Sequence, residues 1–165
     1  ANLLTKQEFG DCQLHIEFMV PEGSNSGVYL QSLYEIQVLD SYGKENVKHS
    51  DCGGIYQRWD DKANKPIDQG KAPRVNASKA PGEWQSFDIT FRAPRFDDNG
   101  NMIENPRFVL VVHNGVIVHE NFEVKGPTRA YNKKQTPAHK APLMLQGDHG
   151  PVAYRNIRIT PLTIQ

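Results

Sequence analysis

Residues 14–20 read Leu-His-Ile-Glu-Phe-Met-Val, so that Leu14, Ile16, Phe18 and Val20 alternate with His15, Glu17 and Met19 until Pro21 ends the run. Successive side chains of a strand point to opposite faces, so such a segment has one face to bury and one to leave outside. The alternation returns at Gln85, Phe87, Ile89 and Phe91, set against Trp84, Ser86, Asp88 and Thr90. Residues 27–31 and 34–39 form a second pair of candidate strands, and residues 154–160 a last one. Residues 108–113 and 116–121 flank Asn114-Gly115, a dipeptide that accepts the positive φ angles of a type I′ hairpin turn. No window of eleven or more residues carries a clean helical period with caps. Many short strands joined by turns predict an all-β chain, a two-sheet antiparallel sandwich of jelly-roll type, because each sheet must cover its apolar face with another.

The 165 residues suffice for one domain, residues 1–165, with one core. Nineteen Lys and Arg balance nineteen Asp and Glu. That argues against a nucleic-acid partner, whose binding rests on clustered cations facing phosphates. Apolar runs such as 109–112 are far shorter than the roughly 20 residues of a membrane-spanning helix. Cys12 and Cys52 show no CxxC or Cys/His zinc spacing and read as two buried thiols, with a single bridge as the alternative. Residues 58–82 and 125–142 are long and polar without periodicity, the mark of either a functional rim or disorder. No secretory leader is legible, and the chain starts at Ala1 almost directly in strand-like sequence, as a mature or trimmed product would.

Residues 34–40, Tyr-Glu-Ile-Gln-Val-Leu-Asp, are the most informative segment. Glu35 and Gln37 fall on one side of a strand, with Tyr34, Ile36 and Val38 on the other. Asp40 joins the polar side only if a bulge near Leu39 shifts the register. Carboxylates and an amide so placed can do acid–base or nucleophilic work on a sugar, or simply form a solvated strand face. Nearby Gly27 and Gly53-Gly54 are residues that permit close backbone approach. Asp148-His149, between Gly147 and Gly150, sets an imidazole on a tight turn as a base, a metal ligand or an inert turn residue. No two histidines have HxH or HxxxH spacing, and Asp97-Asp98-Asn99-Gly100-Asn101 lacks the bidentate Glu of a calcium loop, so it reads as a turn. Tyr29, Tyr56, Trp59 and Trp84 are candidates for stacking on a sugar or for the core.

Five segments in this order carry a family resemblance: Ser-Asn-Ser-Gly-Val-Tyr-Leu at 24–30, Tyr-Glu-Ile-Gln-Val-Leu-Asp-Ser-Tyr-Gly at 34–43, Pro-Gly-Glu-Trp-Gln-Ser-Phe-Asp at 81–88, Leu-Gln-Gly-Asp-His-Gly-Pro-Val at 145–152, and Arg155-Asn156-Ile157. Over residues 3–162 the chain resembles the 3-keto-disaccharide hydrolase domain family. The resemblance implies a jelly roll of the concanavalin A-like lectin/glucanase type with a concave saccharide-binding face. It also implies an exported bacterial protein, periplasmic or extracellular, and substrates that are glycosides oxidised to a ketone at sugar carbon 3. On this footing Glu35, Asp40 and His149 are expected to be catalytic, with Asn25, Tyr29, Gln37, Tyr56, Trp84, Asp148 and Arg155 binding the saccharide. Laminarinase-type glucanases of this superfamily carry Glu-x-Asp-x-x-Glu where this chain has Glu35-x-Gln37-x-x-Asp40, a departure that speaks against ordinary retaining hydrolysis.

A ketone at carbon 3 acidifies the hydrogen on carbon 2, and the resulting enolate can expel the group on carbon 1. Such a site needs a base, an acid for the leaving oxygen, and a positive or hydrogen-bonding group at the enolate. His149 or Glu35 is expected as base and Asp40 as acid. Arg155 or a divalent metal ion is expected at the enolate oxygen, and no organic cofactor is expected. Arg155 reaches the site only if its strand bulges after Gly150. The competing readings are a non-catalytic carbohydrate-binding module, which needs aromatic platforms, and an interaction domain of a larger surface protein.

Overall fold

What alternates in the sequence alternates in burial. The structure, a computed structural model that describes residues 1–165, contains thirteen strands, numbered here in chain order, and no helix. In β2 (Cys12–Met19), Cys12, Leu14, Ile16 and Phe18 are buried while Gln13, His15, Glu17 and Met19 are half-buried. β7 (Gln85–Arg92) repeats that pattern and pairs antiparallel with β2, Leu14 opposite Ile89 and Ile16 opposite Phe87.

These two strands lie in a five-stranded sheet of order β11 (Val116–Glu123), β10 (Arg107–His113), β7, β2, β13 (Ala153–Pro161). A four-stranded sheet of order β1 (Leu3–Phe9), β12 (Ala141–Leu145), β3 (Asn25–Leu30), β4 (Tyr34–Leu39) completes the sandwich. Two ribbons, β5 (Trp59–Asp60) with β6 (Lys65–Pro66) and β8 (Arg95–Phe96) with β9 (Met102–Glu104), lie outside the sheets. Between the sheets Phe18 packs on Phe87 at 4.6 Å, Tyr34 on Phe91 at 5.8 Å and Phe91 on Phe108 at 5.4 Å between ring centroids. This is the two-sheet antiparallel sandwich that the alternation predicts. The β10–β11 turn has φ of 50° at Asn114 and 80° at Gly115, as its type I′ chemistry requires.

β12 escapes the periodicity because Leu143, Met144 and Leu145 are all buried. One inner strand face meets the core and the other is covered, so no polar partner marks the alternation. Residues 125–142 are ordered, and the last two of them open β12. Residues 58–82 are pinned as well: Ile55 bridges Ile36 and Lys71, which continues the four-stranded sheet beyond β4, and the Arg74 N–H donates to Val118 O at 3.0 Å.

Cys12 and Cys52 are free and buried, and burial pushes both thiols up to about 12. His113 and His119, one on each strand of the β10–β11 hairpin, are buried; their Nε2 atoms meet Gln85 Oε1 at 2.9 Å and Gly53 O at 2.7 Å. Burial pushes both imidazoles down to about 4. Asp97 Oδ1 accepts the N–H groups of Asn99 and Asn101, which makes residues 97–101 a turn. No helix is long and apolar enough to cross a membrane.

Candidate active site

The side chains of β3 and β4 that do not enter the core face outward and floor a cavity of about 400 Å³, inside the roughly 300–1,000 Å³ range of small-ligand sites. Tyr29 on β3 stands opposite Glu35 on β4, and Gly27 opposite Gln37. Val28, Leu30, Tyr34, Ile36 and Val38, the intervening residues, are buried in the core. One strand pair therefore separates a dry face from a polar one by period-two geometry alone.

Glu35 is 3% exposed, and its Oε2 lies within hydrogen-bond distance of the Tyr29 hydroxyl, at 2.8 Å. Burial disfavours the charged form and pushes the carboxyl up to about 8. Gly27 lets that carboxyl lie against the neighbouring backbone, since a Cβ there would overlap Glu35 Oε1. Gln37 donates from Nε2 to Ser50 O at 3.1 Å, which orients its amide. Asn25 and Gln146 add amide groups to the lining, and Tyr56 closes one side with its ring edge-to-face on His49 at 4.8 Å. His149 lines the same cavity, and its Nδ1 meets Asp148 Oδ1 at 2.5 Å. That contact fixes the imidazole so that Nε2 is the free ring nitrogen.

Arg129 and Ala130 form the remaining wall. The Arg129 guanidinium carbon lies 3.9 Å over the Trp59 ring, the main-chain N–H of Arg129 donates to Gln57 O at 2.9 Å, and its carbonyl oxygen lies 3.0 Å from the Tyr29 hydroxyl. Ala130 has φ of 62°, a left-handed conformation that a non-glycine residue keeps only where its surroundings impose it. Nothing in the local sequence marks Arg129, because its segment has no periodicity and its place comes from contacts with Tyr29 of β3, Gln57 and Trp59.

The structure thus brings together Glu35, His149, Asn25, Tyr29, Gln37 and Tyr56, with Asp148 behind His149. It does not bring in Asp40, Trp84 or Arg155. Asp40 lies past the end of β4, where Oδ2 accepts the Gly23 N–H at 3.0 Å. β13 does bulge, between Arg155 and Arg158, but Arg155 stays opposite Glu17 on the outer side of the five-stranded sheet. There its guanidinium carbon covers the Trp84 ring at 3.9 Å, so neither residue faces the cavity.

Glu35 and His149 are the only carboxylate or imidazole groups lining the cavity, and no group of three His, Cys, Asp or Glu residues that could hold a metal exists in the chain. The residues do not fit a tightly held divalent ion.

The family profile of the 3-keto-alpha-glucoside-1,2-lyase-like domain matches residues 1–160. The chain belongs to this family. Membership makes it a domain of the carbohydrate-related hydrolases. No curated protein matches. A crystal structure from Parabacteroides distasonis ATCC 8503 named "putative glycosyl hydrolase" is 34% identical, covers 98% of this chain and 68% of its own, and superposes with a TM-score of 0.77. Two further structures of the same name and organism share the fold. One is 23% identical with a TM-score of 0.64, covering 98% of this chain and 83% of its own. The other is 14% identical with a TM-score of 0.58, covering 98% and 74%.

Proposed function

We propose that this cavity cleaves glycosides carrying a ketone at sugar carbon 3, by elimination across carbons 1 and 2. The observation that carries the reading is that the cavity holds one carboxyl, Glu35, and one imidazole, His149, and no second carboxyl. Retaining and inverting hydrolysis both need two carboxyl groups flanking the bond, and Asp40 is committed elsewhere. Elimination needs one base, one acid and a positive or hydrogen-bonding group at the enolate oxygen, and no second carboxyl.

His149 Nε2 takes the proton from carbon 2, and the electron pair of that C–H bond passes into the enolate. The enolate re-forms the ketone as the bond from carbon 1 to the glycosidic oxygen breaks. Glu35, neutral near pH 7 because it is buried, supplies the proton to that oxygen. Its Oε2 then accepts the Tyr29 hydroxyl as a carboxylate. The guanidinium of Arg129 takes the place expected for Arg155 at the enolate oxygen. Water adds to the unsaturated product in a later step. An exported, periplasmic or extracellular bacterial setting belongs to the same reading, as oxidised saccharides would be met there.

A binding module is favoured less, because the guanidinium groups of Arg129 and Arg155 cover the Trp59 and Trp84 rings that would serve as platforms. The test is nitrophenol release from nitrophenyl 3-keto-β-glucoside, with the parent glucoside as control and each with and without EDTA. Release from the keto substrate alone, undiminished by EDTA, is expected. Equal release from both substrates, or undiminished release by Glu35→Gln and His149→Ala, overturns the assignment.

A further inference from the structure

The Tyr29 hydroxyl has a single proton and two neighbours that only accept when Glu35 is ionised: Glu35 Oε2 at 2.8 Å and Arg129 O at 3.0 Å. Tyr29 itself is fully buried whereas Arg129 is exposed, so a carbonyl that Tyr29 releases passes to water and is no longer held by the protein. With a proton on Glu35 Oε2 both contacts are satisfied: Glu35 donates to the Tyr29 oxygen, and Tyr29 donates to Arg129 O. Without it, Tyr29 can serve only one of the two.

We infer that Tyr29 is a positioning residue that makes the cavity wall at Arg129 and Ala130 depend on the proton of Glu35. While Glu35 holds its proton on Oε2, Tyr29 secures the Arg129 carbonyl and the guanidinium stays over Trp59. Once Glu35 is a carboxylate, the Tyr29 hydroxyl turns to it and the Arg129 carbonyl loses its donor. The left-handed Ala130 beside it is then free to relax. In the proposed reaction that change follows proton delivery, so the wall loosens when product is present. This catalytic consequence rests on the proposed function, whereas the coupling itself does not.

The ionisable groups facing Glu35 are few. They are Tyr29 on β3, Tyr56 after β4, Arg129 in the wall, Asp148 and His149 in the β12–β13 connection, and Tyr154 of β13 from the opposite side. Tyr29, Tyr56 and Tyr154 are all raised above the ordinary tyrosine range by burial, which leaves Glu35 as the acid expected to titrate near 8.

Trp59 reports the wall directly, because the Arg129 guanidinium lies on its ring. The only other tryptophan is Trp84, outside the cavity, so Trp84→Phe leaves one emitter. Its fluorescence is followed from neutral to alkaline pH in that background, alone and with Glu35→Gln or Tyr29→Phe, with no ligand added. We expect a single transition with a midpoint near pH 8 in the parent and none in either variant. Glutamine keeps a neutral donor toward Tyr29, so Glu35→Gln also preserves the low-pH spectrum. A transition that survives in Glu35→Gln or in folded Tyr29→Phe, or none in the parent, overturns the coupling. Should Tyr29→Phe fail to fold, the parent and Glu35→Gln still decide. With the transition present and nitrophenyl 3-keto-β-glucoside untouched, the coupling stands and the proposed function falls. If both hold, Tyr29→Phe should raise KM more than 5-fold with a smaller effect on kcat.

Discussion

The hydroxyl of Thr128 accepts the main-chain N–H of Glu35 at 3.1 Å and donates to Leu33 O at 3.2 Å. A residue from the 125–142 segment thus completes the hydrogen bonding of the strand that carries the candidate acid. Thr128 is fully buried, so no water replaces it. Thr128→Val should cost about 1–3 kcal/mol, the range for stranding a buried polar group, and lower turnover with it. Thr128→Ser should restore most of both. Urea unfolding beside rates on the keto substrate checks this, and a Val variant as stable and active as the parent would refute it.

Gly27→Ala tests how closely the acid is held. Besides overlapping Glu35 Oε1, the added methyl would lie 3.0 Å from Glu35 Cδ and from the Tyr29 ring. Overpacking of this kind typically costs about 1–3 kcal/mol, and here it displaces the carboxyl. The melting temperature should fall, and kcat should fall further than that loss of stability explains.

Glu35 also sets a pH dependence of stability. Its carboxyl rises from the ordinary 4.5 to about 8 on folding, so the folded state binds the proton more tightly than the unfolded chain. The contribution is fully present below pH 4.5 and is lost as pH rises through about 8. Glu35→Gln has no such loss. Its Tm should gain on that of the parent across this window, at roughly 2–4 °C per kcal/mol for a chain of this size, while turnover falls by about 10²–10⁴. A constant Tm difference across the window would show that Glu35 does not titrate there.

His113 and His119 act in the opposite sense. Both fall from 6.5 to about 4 through burial, so the unfolded chain takes up their protons first. Stability should therefore decline as pH drops from 6.5 toward 4, above the range in which Asp11, Asp51 and Asp68 lose their lowered-pKa contributions. His113→Gln and His119→Gln should each flatten part of that decline in acid-titrated thermal melts, whatever their stability at neutral pH.

Trp84→Ala and Arg155→Ala should leave turnover within about 2-fold of the parent, since both side chains cover one another on the outer sheet face and surface changes are usually small. A loss above 10-fold in either would place saccharide contacts on that face.

Much of the sandwich was legible. The alternations at Leu14–Phe18 and Gln85–Phe91, and Asn114-Gly115, became β2, β7 and the β10–β11 turn, because strand period and turn chemistry are local properties. β12 was not legible, since a strand covered on both faces loses its alternation. The same division runs through the site. Glu35 and Gln37 share a face by strand period, whereas Asp40, three residues past Gln37, lies beyond the end of β4 and goes to the Gly23 backbone.

The sequence by itself determined which side chains of β3 and β4 would avoid the core, and so which could be offered to a ligand. Tertiary structure decided what surrounds them: that Arg129 rather than Arg155 reaches the cavity, that His149 arrives with Asp148, and that Glu35 is buried deeply enough to keep its proton. Strand period is set by neighbouring residues along the chain. Burial and charge environment are set by segments nearly a hundred residues away, such as the one holding Thr128 and Arg129 beside Glu35 and Tyr29, and no local pattern encodes them.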